Sequence, residues 1–253
     1  MIRVLVIIAA AGAVISAMAF TGAVALGGTE PLRNGWLIAD ILDGMGDDHD
    51  SDLDHRWRDA PTARREMDWT GTDTLQVDLT AHVTFVQGPE KTIVITGPEP
   101  LVNMVMVEGG RLREHEQSPG DLGRALRRGG KPIRVVVTAP DVSRFLLNGS
   151  PDLDIRGYDK PSMTIRIAGG ADVSASGRTD RLDLDIAGSG DADLDGLSLT
   201  DAAVAIAGSG DATLGPVGSA RVSIAGSGDV TLTRQPASLS SDVSGSGDIS
   251  IRD

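Results

Sequence analysis

One hexapeptide restricts what this chain can fold into more than any other feature. Ile186-Ala-Gly-Ser-Gly-Asp191 recurs as Ile206-Ala-Gly-Ser-Gly-Asp211, Ile224-Ala-Gly-Ser-Gly-Asp229 and Val243-Ser-Gly-Ser-Gly-Asp248. Looser copies precede them, Ile167-Ala-Gly-Gly-Ala-Asp172 and Leu147-Asn-Gly-Ser-Pro-Asp152. The aspartates at 152, 172, 191, 211, 229 and 248 are 20, 19, 20, 18 and 19 residues apart. Self-similarity at a steady period of this size marks a stacked repeat.

Every copy follows one plan. An alternating strand leads in, as in Leu182-Asp-Leu184-Asp-Ile186, and a glycine-rich corner follows. A second short strand leads out, as in Ala212-Thr-Leu214 or Val230-Thr-Leu232, before a looser corner such as Asp195-Gly196 or Gly215-Pro216. At about 3.3 Å per residue a strand of this length spans under about 20 Å, so one unit suits one coil of a narrow β-solenoid. Its inward side chains are Leu, Ile, Val and Ala, and no coil can bury its apolar side without neighbours. An antiparallel sandwich also turns at short intervals, but it gives no reason for identical corners at constant separation. Calcium-binding Gly/Asp nonapeptide repeats have about half this period.

Stacking puts Asp191, Asp211, Asp229 and Asp248 in one column. These four are the weak candidates for metal ligation. One carboxylate per coil offers too few oxygens for a tight calcium site, so each is expected to cap its own corner instead.

Residues 69–145 read as a less regular β region that opens a domain spanning 69–253, with the repeats over 146–253. Its expected strands are Leu75–Leu79, His82–Gln87, Thr92–Thr96, Val102–Val107 and Ile133–Thr138, from period-two alternation bounded by Gly-Pro, Gly-Gly and Ala-Pro turns. The basic stretch 111–131 reads mostly as loop. His82 and His115 stand alone and read as surface or strand histidines.

Residues 29–68 read as an acidic flexible connector. His49 and His55 lie among aspartates there, but their spacing fits no helical face and no calcium loop. Residues 1–28 read as a signal peptide or membrane anchor. Arg3 precedes an uncharged apolar run over 4–26, long enough to cross a bilayer, and Ala23-Val24-Ala25 is a candidate cleavage site. Either reading places the rest of the chain outside the cytoplasm: periplasmic, membrane-anchored or on the cell surface.

Composition narrows the function classes. The chain has no cysteine, which removes thiolate chemistry and cysteine-ligated metals. A net charge of −13 argues against a nucleic-acid partner. Beyond Tyr158 there is no aromatic residue to stack on a sugar, and beyond His115 no histidine to complete a serine triad. The aspartates recur uniformly rather than as one special pair.

The serial Gly-Ser-Gly-Asp corners, together with Val83-Thr-Phe-Val-Gln-Gly88, Val107-Glu-Gly-Gly-Arg-Leu112 and Ile133-Arg-Val-Val-Val-Thr-Ala-Pro140, resemble the exported bacterial GIN-domain family, described as putative auto-transporter adhesin heads. The resemblance covers roughly 69–253. It implies a right-handed β-solenoid-like fold outside the cytoplasm and carries over no catalytic residue. The corners at Asn148–Pro151 and Gly169–Ala171 depart from the pattern and are expected to be distorted. The resulting expectation is a non-enzymatic cell-envelope protein, adhesin-like or envelope-organising, with no catalytic residue and no cofactor. Its expected partners are a second copy of itself or an envelope component such as a glycan. The alternatives are a cation-dependent glycan-binding module and an enzyme acting on polysaccharide.

Overall fold

A computed structural model describes residues 60–115, 120–127 and 131–252. The expectations for the segment 1–28, for His49 and His55 and for most of the connector lie outside the described residues. Among the described residues no helix is long and apolar enough to cross a membrane.

The fold is a β-solenoid. Between Asp152 and Asp248 the chain makes about five turns. The lead-in strands are β8 (Arg144–Gly149), β10 (Ser162–Gly169), the second half of β11 (Asp172–Gly188), the second half of β13 (Leu197–Gly208), β15 (Ser219–Gly226) and β17 (Ser238–Gly245). They pair in parallel, with Gly149, Gly169, Gly188, Gly208, Gly226 and Gly245 in one register line. The lead-out strands are β9 (Asp152–Asp159), the first half of β11, β12 (Ala192–Asp193), β14 (Ala212–Leu214), β16 (Val230–Leu232) and β18 (Ile249–Ile251), and they form a second parallel ladder.

The alternation in sequence becomes an inside and an outside. Leu147, Ile167, Ile186, Ile206 and Ile224 stack in one column, each almost fully buried. Leu182 and Leu184 of β11, and Ala202 and Val204 of β13, are buried beside them. Each Ile or Leu so buried contributes roughly 1.5–3 kcal/mol. The buried side chains become smaller along the axis. Phe85, Phe145 and Tyr158 meet edge-on at its wide end, with ring centroids 5.2 and 6.2 Å apart. Toward the other end the interior is filled mainly by Ala, Val, Leu and Ile.

Upstream of the repeats the chain departs from sequence order. β2 (Thr74–Asp78) and β3 (His82–Gln87) form a rung that stacks directly on β8 and β9. The intervening excursion returns through β6 (Arg111–Glu114) and β7 (Arg134–Ala139), which pair with the opposite edges of β2 and β3. The β2–β3 rung is therefore enclosed between rungs that follow it in sequence. Beyond them β4 (Thr92–Pro98) runs antiparallel to β7, β1 (Thr62–Asp68) antiparallel to β4, and β5 (Val105–Glu108) antiparallel to β6. These antiparallel strands close the wide end.

Some sequence expectations need correction. The connector does not extend to residue 68, because Thr62–Asp68 is strand β1. Its inward residues Ala63, Arg65 and Met67 are only half-buried and include a charge, so period-two hydrophobicity is absent. The expected strand Val102–Val107 begins as helix α1 (Glu99–Met104). Pro100 sits in the first helical turn, where a missing N–H costs nothing, and Leu101 and Val102 are buried against the end strands. The stretch 111–131 is not mostly loop, since it contains β6 and helix α2 (Asp121–Arg127). β6 carries a single buried apolar side chain, Leu112, and owes its extended form to pairing with β2.

The corners at Asn148–Pro151 and Gly169–Ala171 hold the common register, with Gly149 beside Gly169 and Asp152 beside Asp172. The irregularity lies farther along, where Gly157, at φ 64°, lets β9 take an extra residue opposite Ser176.

Candidate functional site

The column of aspartates forms as the repeat requires: Asp152, Asp172, Asp191, Asp211, Asp229 and Asp248 occupy equivalent places on successive rungs. From Asp191 onward their chemistry is uniform. The Asp211 amide donates to Asp191 Oδ1, the Asp229 amide to Asp211 Oδ1 and the Asp248 amide to Asp229 Oδ1, each at 2.8 Å. The carboxylate therefore caps the corner of the next coil rather than its own, which corrects the expected arrangement. The physical reason is the parallel stack: each rung holds its amide directly over the carboxylate of the rung before. At the first corners this bond is replaced, and Asp172 donates instead to the Pro151 carbonyl at 3.2 Å.

Glycine makes that approach feasible. A Cβ on Gly210 would lie 2.1 Å from the Gly190 carbonyl oxygen, and one on Gly208, where φ is +141°, would lie 2.0 Å from the Gly188 oxygen. Side chains at either corner position would drive the coils apart.

The column has a different start. His82 of β3 stands in register with Asp152, and its Nδ1 lies 2.5 Å from Asp152 Oδ2. Beside them, Asp154, Asp172, Asp191 and Asp193 line an open trough of about 470 Å³. Ser174 Oγ donates to Asp154 Oδ1 at 3.3 Å within it. The pairing of His82 was not readable from sequence, because its partner lies seventy residues away in the chain. Among the described residues no group of at least three His, Asp or Glu side chains is arranged to hold a metal ion. The four candidates Asp191, Asp211, Asp229 and Asp248 are spread along the stack, one per coil, and from Asp191 to Asp229 one oxygen of each carboxylate is engaged in backbone capping.

A second concavity of about 790 Å³ lies where β2, β6 and the first corner meet, and it carries both charge signs. Asp78 is its hub. Gln76 donates to its carboxylate at 3.0 Å, while Arg111 and Asn148 also bond to it. Partial burial pushes the Asp78 carboxyl up, but the donors from Asn148, Gln76 and Arg111 outweigh this and hold it below the usual carboxylate range. Arg113 pairs with Glu108 at 3.1 Å. Arg111 and Arg113 of the basic stretch are therefore tied to β2 and β5. Elsewhere on the surface Asp201 accepts both the Ser219 hydroxyl, at 2.6 Å, and the Ser219 amide, at 2.8 Å, and these hold its pKa down.

The arrangement is thus a stiff stack with polar and charged columns outside. The sequence profile of a family described as "putative auto-transporter adhesin, head GIN domain" matches residues 72–236. No curated protein matches the chain. Among solved structures it is similar to a putative adhesin of Bacteroides fragilis, with a TM-score of 0.55 and 15% identity over 76% of this chain and 97% of that one. It also matches a putative adhesin of Parabacteroides merdae (TM-score 0.47, 16% identity, covering 78% of this chain and 98% of that one). A third match is a putative lipid-binding protein of Parabacteroides distasonis (TM-score 0.42, 20% identity, covering 76% of this chain and 97% of that one). The match over residues 72–236, which spans the β2–β3 rung and the first three Gly-Ser-Gly-Asp corners, shows that this chain belongs to the GIN-domain family of putative auto-transporter adhesin heads.

Proposed function

We propose that this protein is a non-catalytic binding head of the cell envelope, carried outside the cytoplasm by residues 1–28 and contacting an envelope or surface partner through the outer face of its solenoid. The observation that carries this reading is the acidic trough. His82, Asp154, Asp172, Asp191 and Asp193 present polar groups on successive rungs, at the roughly 4.8 Å spacing of a parallel ladder. Such an array favours many weak contacts with an extended or repetitive surface over one deep pocket. The family's adhesin description is in keeping with it.

The test is retention of the purified chain on isolated cell envelopes. Asp154→Asn, Asp172→Asn and Asp193→Asn, made together, remove trough charge without touching the corner bonds of Asp191, Asp211 and Asp229. Retention is expected to fall at least about tenfold with an unchanged melting temperature. Undiminished retention would sink the reading. Turnover of acidic glycans or esters, abolished by changing a single Asp, would replace it with an enzymatic one.

A further inference from the structure

The two ends of the solenoid are finished differently. The wide end is closed by β1, β4, β5 and α1. At the narrow end β17 and β18 pair on one side only among the described residues. Their inward side chains are left uncovered: Leu239 is 38% exposed and Val243 42%, whereas Ala220 and Ile224, one rung earlier, are 3% and 1% exposed. β17 carries no lysine, no proline and no bulge, the usual devices that protect an edge strand.

Its open hydrogen-bonding groups can be assigned. The Ser238 and Ser246 amides donate back to Gly218 and Gly226 of the preceding rung. In a parallel ladder the direction alternates along the strand, so Leu239, Ser241 and Val243 turn both N–H and C=O to the open side. The segment Ser238-Leu-Ser-Ser-Asp-Val-Ser244 is nearly symmetric about Ser241. Reversed upon itself about that residue, it sets Leu239 against Val243, Ser238 against Ser244, and Asp242 against Ser240 rather than against another Asp242. Every outward N–H then meets an outward C=O, the apolar pair covers itself, and no like charges fall opposite each other.

We infer that the narrow end is a pairing edge for a second copy of this chain, with β17 joining its counterpart antiparallel about a two-fold axis through Ser241. The contact is isologous and closes at two copies, because a two-fold axis uses the same patch of both. Both partners carry a charge of −13, so pairing strengthens as salt screens their repulsion. A basic partner strand would show the opposite salt dependence. The inference is independent of what the outer faces bind.

The test uses the full chain in a nonionic detergent. The native chain has no cysteine, so Ser241→Cys supplies a unique thiol. An antiparallel hydrogen-bonded pair holds its Cα atoms about 5.5 Å apart, within the disulfide range of about 4.4–6.8 Å. Mild oxidation is expected to convert Ser241→Cys to a covalent dimer and to leave Ser223→Cys, on the exposed outer face of β15, monomeric. By sedimentation, Ser241→Pro, which removes one outward N–H, and Val243→Arg, which breaks the apolar pair, are each expected to weaken dimerisation at least tenfold. Sodium chloride is expected to strengthen it. Equal crosslinking of the two cysteine variants, a dimer unmoved by both substitutions, or a chain that stays monomeric at every salt concentration would overturn the inference.

Discussion

The Asp211 amide lies 2.8 Å from Asp191 Oδ1, and the same bond joins Asp229 to Asp211 and Asp248 to Asp229. From Asp191 to Asp229, each carboxylate of this like-charged column is thus bonded to the N–H of its successor. Repulsion between neighbours, about 1 kcal/mol for unit charges 4 Å apart in water, is offset by a hydrogen bond of similar worth. These bonds tie the corners of successive coils together in register.

Removing one acceptor should therefore cost more inside the column than at its end. Asp211→Ala is expected to lower unfolding free energy by about 1 kcal/mol in urea titration. Asp211→Asn, which keeps an acceptor oxygen, should lie near wild type. Asp248→Ala, beyond which no described amide accepts the role, should cost less than Asp211→Ala. Equal losses at 211 and 248 would show that the bond contributes nothing.

Salt and calcium should separate screening from ligation. The melting temperature is expected to rise modestly with sodium chloride, because exposed like charges are screened. It should not move with sub-millimolar calcium at constant ionic strength. A large calcium-specific rise, lost in Asp211→Asn, would establish a metal site.

Corner glycines should differ in their tolerance of a methyl group. Gly210→Ala, with its Cβ 2.1 Å from the Gly190 carbonyl oxygen of the preceding coil, should cost about 3 kcal/mol or more. Gly149→Ala faces open space at φ +86° and should cost only backbone strain, about 1–2 kcal/mol. Thermal melts of both variants test the order, and a reversed order would contradict the stacked corner.

Acid should loosen the junction of β2, β6 and the first corner before the repeats. The Asp78 carboxyl is held below its ordinary value, so its contribution is complete above the unfolded pKa of about 4 and is lost as pH falls through the lower folded value. Amide exchange of β6 is expected to rise in that range, and Asp78→Asn should remove most of the pH dependence. An exchange profile unaffected by the substitution would count against this role.

Deleting residues 192–211 should shorten the stack by one coil and leave it folded, since Asp191 would then lead into Ala212 in unchanged register. Deleting 192–201 should expose the core face, measured as dye binding, because half a coil cannot be closed. Equal damage from both deletions would argue against independent coils.

Much of this architecture was legible in the residues alone. The period of the Gly-Ser-Gly-Asp corners determined the coil, and the alternation of Leu182, Leu184 and Ile186 determined which side chains turn inward, because both signals are local and repeated. What the chain order concealed was decided by long-range pairing. The β2–β3 rung lies between rungs formed later in sequence, β1 is a strand only because β4 accepts it, and His82 finds Asp152 through strand register. The direction of the carboxylate bonds also belongs to the tertiary structure. An aspartate at a glycine corner can cap its own turn or the next, and only the close parallel stacking of coils, with no Cβ between them, brings the next amide within reach.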